Sequence, residues 1–230
     1  MKSTAGSDAA KRRAGEAAAD GVTDGMVVGL GTGSTAAYAI EALGERVDTG
    51  LDILGVPTSF DARQLAINEG VDLVDLDEVD RIDLAIDGAD QLVVETGTCI
   101  KGGGAAHTRE KIVATAADEL AIVVDDTKLA DELDYPVAVE LIPAAQRGVE
   151  RAVETLGGTA TLRQAANKDG PVVTDNGNLV VDCEFGRIGD PAELAASLSQ
   201  VPGVVEHGLF VDRATAAYVG TADGVDAHSY

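Results

Sequence analysis

The sequence predicts an α/β protein: a mostly parallel sheet domain joined to a second, smaller α+β domain. Two observations lead there. Through the first half of the chain, short apolar runs alternate with helical stretches, the pattern of parallel strands linked by crossover helices. Past Tyr135-Pro136 the order changes to strand, helix, strand, strand, helix, strand. Parallel sheets place ligands at the carboxyl ends of their strands, and the chemically conspicuous residues of this chain fall there.

Taken in order, Ser7-Asp8 supply an N-cap for a helix through residue 19, closed by Asp20-Gly21. Residues 26–30 form a short buried strand, followed by Gly31-Thr32-Gly33-Ser34-Thr35 and a helix over 36–43. Strands at 51–56 and 72–76 flank a helix at 61–68. Residues 84–86 are the next strand, with apolar runs at 92–94 and 99–100 beyond a tight turn. A glycine-rich segment then opens a helix running to 117, and 120–124 is again a strand. In the second part, 137–142 and 159–164 are strands around a helix at 144–156. Segments 172–174 and 178–183 flank the hairpin turn Asp175-Asn176-Gly177. Asp190-Pro191 opens a helix at 192–198, and a strand at 204–210 closes a ferredoxin-like β-α-β-β-α-β unit. The expected division is 133–208 for the small domain and 1–132 plus 209–230 for the large one, with 216–219 returning as a strand to the first sheet.

Forty acidic residues against 17 basic ones give a formal net charge of −23. Nucleic acid demands a basic footprint, so it is excluded as a partner, as are anionic membrane surfaces. An acidic surface around an ordinary 45% hydrophobic composition fits a cytoplasm of very high salt, where the screening length falls to ~3 Å at 1 M. Two cysteines, Cys99 and Cys183, are too few for a disulfide scaffold and indicate a reducing, cytoplasmic setting. The longest charge-free run, 25–40, is too short and glycine-broken to span a bilayer.

The chemistry concentrates between residues 83 and 117. Asp87-Gly88-Ala89-Asp90 place two carboxylates in a turn after a buried strand, and Lys101 opens a loop of Gly102, Gly103 and Gly104. With six lysines against 40 acids, cations near strand ends are needed to hold an anionic ligand against the background field; Lys101 and Lys128 sit there. Glu110 lies about one turn into its helix. Beside Arg109 and Lys111 an exposed glutamate is the plainer reading, yet its helical neighbours Gly103, Ala106, His107, Val113 and Ala114 are mostly small and apolar. Packing that face would desolvate the carboxyl and raise its proton affinity, as a general base near neutrality requires. The strand–loop–helix at 29–35 can gather backbone N–H groups and hydroxyls of Thr32, Ser34 and Thr35 on an anion. No lysine precedes Ser34, so it is not a Walker loop. The G-x-G-x-x-G register breaks at Ser34, and the next strand lacks a ribose-binding acid, which disfavours a nicotinamide oxidoreductase. The histidines have no metal-ligand spacing. A sugar-phosphate sensor lacks its DNA-binding module here.

Together these motifs resemble type A ribose-5-phosphate isomerase over nearly the whole length. The resemblance rests on Lys11, G-x-G-T-G-S-T at 29–35, D-G-A-D at 87–90, K-G-G-G-A-A at 101–106, T-R-E-K at 108–111, Lys128, and V-T-D-N-G-N at 173–178. It implies a Rossmann-like domain plus a small α/β domain, a homodimer or homotetramer, no metal and no cofactor, and a pentose 5-phosphate substrate. It further implies that Glu110 moves a proton between C1 and C2 through an enediolate. Lys101 with the N–H groups of Gly102 to Gly104 would stabilise the oxyanion, while Asp87 and Asp90 hold sugar hydroxyls and assist ring opening. Thr32 to Thr35, including Gly33, would bind substrate, with Ser34, Thr35, Lys11 and Lys128 at the phosphate. His107 stands where that family usually has an apolar residue.

The charge itself yields a first test. Thermal midpoint and activity are expected to rise from dilute buffer to molar KCl, as self-repulsion is screened; equal stability and activity in both contradicts the high-salt reading.

Overall fold

The computed structural model describes residues 7–230. The Ser7 side chain accepts from Ala10 N and caps α1 (Asp8–Ala19). β1 (Val27–Leu30) leads into α2 (Ser34–Asp48), which runs a turn longer at its C-terminal end than its sequence pattern predicts. β2 (Leu54–Pro57) is followed by α3 (Phe60–Asn68), capped by the Ser59 side chain on Ala62 N. β3 (Ile82–Gly88), β4 (Gln91–Val93) and β5 (Thr98–Ile100) precede α4 (His107–Ala116), which carries Glu110, and β6 (Ala117–Asp125). The second part holds β7 (Val137–Leu141), α5 (Gln146–Thr155), β8 (Thr159–Leu162), β9 (Leu179–Glu184), α6 (Pro191–Ser199) and β10 (Val204–His207). β11 (Leu209–Phe210), β12 (Ala216–Gly220) and β13 (Val225–Ser229) complete the chain.

The large sheet has the order β13-β12-β6-β3-β1-β2, parallel except for β13. From β1 the chain moves outward to β2, then returns to lay β3 on the other flank of β1. That reversal opens a crevice beyond the carboxyl ends of β1 and β3, where open α/β sheets bind ligands. The second sheet is antiparallel, β10-β7-β9-β8, the ferredoxin-like order. A three-stranded ribbon, β11-β5-β4, forms the third sheet.

Alanine and branched aliphatics fill the interior. Ala14, Leu30, Ile40 and Leu43 pack α1 and α2 on one face of the large sheet; Val113, Ala114 and Phe210 pack against the other side; Val149, Val153 and Leu198 close the small sheet. Scarce aromatics mean close backbone approach: a Cβ on Gly15 of α1 would lie 2.7 Å from Ala39 N of α2.

Four elements differ from the sequence expectation. Segment 72–76 contributes one bridge, Leu73 to Gly55, before a 3-10 turn (Leu76–Glu78), because Asp75 and Glu78 form a capping box that ends the extended run. Segment 172–174 contributes one isolated bridge, Val173 to Leu179, since β7 and β8 already flank β9. The strand expected over 204–210 divides at Gly208, whose N donates to Ala138 O (2.7 Å) while its O accepts from Lys101 N (2.8 Å). One residue thus steps the chain from the small sheet to the ribbon. β13 has no apolar run to announce it; it is a polar edge strand.

A Cβ on Gly208 would sit 2.1 Å from Lys101 O, whereas one on Gly148 meets nothing within 4 Å. Gly208→Ala is expected to lose ~1–3 kcal/mol in chemical denaturation, while Gly148→Ala, inside α5, gains up to ~1 kcal/mol.

Candidate active site

The first wall of the crevice follows β1. Gly31 is pressed so closely to β3 that a Cβ there would lie 2.4 Å from Asp87 Oδ1. This approach lets Thr32 N donate to that oxygen at 3.1 Å. Gly33 takes φ +113°, a conformation that turns the chain into α2 and that a side chain would resist. Ser34 and Thr35 then form the first turn of α2, where backbone N–H groups are unpaired and the helix dipole favours an anion. Thr32 Oγ1 is held by Thr58 Oγ1 (2.8 Å) and Ser59 Oγ (2.7 Å), and Thr58 Oγ1 donates to Leu30 O.

The second wall is the turn after β3. Asp87 Oδ1 also accepts from Gly88 N at 2.8 Å. Asp90 N donates to Ile100 O, and its Oδ2 accepts from Gly103 N at 2.7 Å. Lys101, at the end of β5, is 2% exposed. Its Nζ lies 3.0 Å from Asp87 Oδ1 and 3.2 Å from Glu110 Oε2, and donates to Gly88 O. Glu110 is 4% exposed, so it is buried and not the exposed glutamate of the plainer reading. Its Oε2 makes no hydrogen bond among the described residues.

The cleft is lined by Thr32, Gly33, Ser34, Thr35, Gly88, Ala89, Asp90, Lys101, Gly102, Gly103, Gly104, Glu110 and Lys128. Asp87 stands behind Lys101 rather than on the lining. Lys128 arrives on the 3-10 turn after β6, which the Asp125 side chain fixes by accepting from Thr127 N. Lys11 is not among the lining residues; it is buried on α1 with Nζ 3.8 Å from Asp8 Oδ1.

Burial governs the protonation states. It pushes the Glu110 carboxyl up to about 8, the Asp87 charge adds to the rise, and Lys101 partly offsets both. Asp87 is raised by the same burial, but Lys101 and the N–H groups of Thr32 and Gly88 pull it back towards its anion. Burial works against the Lys101 ammonium, yet Asp87 and Glu110 outweigh it and hold the lysine protonated. Cys99, beside Lys101 in sequence, is fully buried with its thiol pushed up to about 12 by desolvation, an inert strand hydrophobe. Burial likewise draws His107 down to about 4, so it is neutral. Among the described residues, no group of three His, Cys, Asp or Glu could hold a metal ion.

Sequence reasoning missed Thr58 and Ser59, which brace Thr32; the only signal was a pair of hydroxyls after the β2 strand. It also missed Glu140, a buried carboxylate on β7 that accepts from Thr108, Thr174, Asn176 and Asn178. Nothing local marks an acid within an apolar run as satisfied or functional.

A carboxyl whose folded pKa exceeds its unfolded value binds its proton more tightly in the folded state, so its contribution to stability falls as pH rises between the two. For Glu110 that window runs from 4.5 to about 8. Glu110→Gln is therefore expected to melt above the unsubstituted protein at pH 9, with the difference shrinking towards pH 5 in thermal melts at fixed KCl.

Comparison with known proteins places the chain in a family. The sequence profile of Ribose 5-phosphate isomerase A (phosphoriboisomerase A) matches residues 54–224. A curated ribose-5-phosphate isomerase A from Haloarcula marismortui is 64% identical over 220 residues, covering 96% of this chain and 95% of the relative. The solved ribose 5-phosphate isomerase A from Methanocaldococcus jannaschii superposes with a TM-score of 0.92 at 45% identity, covering 96% of this chain and 98% of its own. A D-ribose-5-phosphate isomerase in complex with phospho-erythronic acid gives 0.94 at 42% identity, covering 98% of this chain and 100% of its own. On both sequence and structure, the chain belongs to the ribose 5-phosphate isomerase A family.

Proposed function

We propose that the protein interconverts D-ribose 5-phosphate and D-ribulose 5-phosphate, with Glu110 as the proton carrier. The observation that carries this reading is a carboxyl buried against an ammonium, with a pKa near 8 and no hydrogen bond on one oxygen. Such a group is poised to accept a proton close to working pH, and general-base transfer of this kind contributes ~10²–10⁴-fold.

The phosphate is assigned to the first turn of α2, where Ser34 and Thr35 offer hydroxyl and backbone donors and Lys128 supplies a cation. Sugar hydroxyls and opening of the furanose ring fall to Asp90 and the loop from Gly102 to Gly104, while Asp87, off the cleft lining, pairs with Lys101. With the aldehyde exposed, Glu110 removes the C2 proton; the electron pair forms the C1–C2 double bond and negative charge moves to the oxygen on C1. Lys101 and the adjacent backbone N–H groups stabilise that charge. Glu110 returns the proton to C1, and the hydroxyl proton passes from O2 to O1, leaving the ketose. The active form is read as a homodimer or homotetramer in a high-salt cytoplasm. Exposed Leu54, Phe60, Ile67 and Ile112 around the β2 edge give such an assembly apolar surface to bury. No helix among the described residues is long and apolar enough to cross a membrane.

Ketose is expected from ribose 5-phosphate in concentrated KCl without added metal. Glu110→Gln should lower kcat by ~10²–10⁴-fold with KM little changed, and kcat/KM of the unsubstituted enzyme should rise through a midpoint near pH 8, as the base must be ionised. Turnover retained by Glu110→Gln rules it out as the base.

A further inference from the structure

The turn Val173-Thr174-Asp175-Asn176-Gly177-Asn178 belongs to the small-sheet part of the chain, and none of its residues lines the cleft. Its side chains nevertheless converge on α4. Glu140, fully buried on β7, accepts from Thr174 Oγ1 (2.9 Å), Asn176 Nδ2 (3.1 Å) and Asn178 Nδ2 (2.8 Å), and its other oxygen accepts from Thr108 Oγ1. Asn176 then faces the other way. Its Oδ1 accepts from Arg109 Nε at 2.8 Å, and Arg109 Nη2 donates to Asp175 O at 3.2 Å. The Arg109 guanidinium covers the Phe60 ring at 5.3 Å, while Phe60 N donates to Asp175 Oδ2 at 2.9 Å. Arg109, immediately before Glu110, is thus bonded directly to a turn more than sixty residues away, and Thr108 is linked to the same turn through Glu140.

The helix has little of its own to hold that position. No side chain caps α4 at Ala106, and Ala105 before it is held at φ 60°, a left-handed conformation that alanine rarely adopts. The Glu140 backbone N donates to His107 Nε2 at 3.2 Å, adding another long-range tie to the first turn. Glu140 remains an anion: burial pushes its carboxyl up, but hydrogen bonds from Thr108, Asn178, Asn176 and Thr174 together bring it below the usual carboxylate range.

We propose that Glu140 and Asn176 are positioning residues for the isomerisation: through Thr108 and Arg109 they clamp the first turn of α4 and so fix the Glu110 carboxyl against Lys101. This rests on the reading of Glu110 as the base. Neither residue lines the cleft. Their effect is geometric, and a displacement of about 1 Å at a reacting group can cost ~10²-fold in rate.

The test is Asn176→Ala, at an exposed site where folding is expected to survive, with Glu140→Gln as the second variant. Both are assayed with ribose 5-phosphate in molar KCl well below their melting temperatures. The expected result for Asn176→Ala is kcat lowered ~10-fold or more with KM within ~2-fold. The acid limb of kcat/KM should also move down from near pH 8 by about one unit, as water reaches Glu110 between Lys101, Asp87 and Asp90. Glu140→Gln, if it folds, should show the same pattern. Unchanged kcat and an unchanged acid limb, with only a lower melting temperature, overturn the proposal; so does a rise in KM alone. Glu110→Gln, measured alongside, separates the two readings. Turnover persisting there removes the base assignment, whereas an inactive Glu110→Gln beside a fully active Asn176→Ala removes only the clamp.

Discussion

A protonated lysine sealed between two acids is the constraint on which the site depends. Lys101 is 2% exposed, and burying an unpaired ammonium costs several kcal/mol. Asp87 and Glu110 offset that cost, but three charges in so small a volume cannot all be satisfied equally. Asp87 receives Thr32 N, Gly88 N and Lys101, which favour its anion. Glu110 has the ammonium at 3.2 Å, and its facing oxygen makes no hydrogen bond among the described residues. Burial raises both carboxyls, and the two differ in how many donors reach them. That asymmetry of donors distinguishes the two acids within one buried cluster.

The fold delivers this triad from three separate elements. Asp87 comes from the end of β3, Lys101 from β5 in the ribbon, and Glu110 from α4. The switch point between β1 and β3 provides the crevice, and Gly31 brings the β1 loop within reach of Asp87. Lys101 is set by its backbone: its N–H is bonded to Gly208 O, the residue at which the chain leaves the small sheet for β11. The antiparallel part is thus tied to the site through Gly208 and through the turn at 174–178, although it contributes nothing to the cleft lining. Arg163 of the small-sheet part adds a further tie, donating to Gly102 O at 2.8 Å.

Much of this was legible in the sequence because strong local signals agreed. Alternating strands and helices, the capping Ser7, and Gly31 through Thr35 between a strand and a helix all announce the large sheet. The Asp87 turn, Lys101 and its glycines fall at strand ends, and the cleft gathers them. What stayed hidden depends on contacts distant in sequence. Glu110 reads on its own as an exposed glutamate between Arg109 and Lys111; only the packed helix face shows it dry. Lys11 looks like a phosphate ligand by motif, yet α1 keeps it off the cleft lining. Glu140 sits within an apolar run, and its donors lie more than thirty residues away in either direction. The split at Gly208 follows from two sheets sharing one residue, which no periodicity encodes. β13 lacks apolar alternation because it is an edge strand, and its register comes from β12.

The net charge of −23 sharpens the role of the few cations. Among the described residues, Lys101 and Lys128 are the lysines lining the cleft, and they set a local positive charge against the acidic background. Screening by concentrated salt weakens the long-range repulsion while leaving the buried Lys101 pairs largely intact. The most direct measurement of the central claim is a titration of the Glu110 carboxyl itself, by carbon NMR of side-chain-labelled glutamate assigned by difference against Glu110→Gln. A single glutamate carboxyl titrating near pH 8, and missing from the variant, is the expected result. A Glu110 signal titrating near 4.5, with the ordinary surface glutamates, contradicts it.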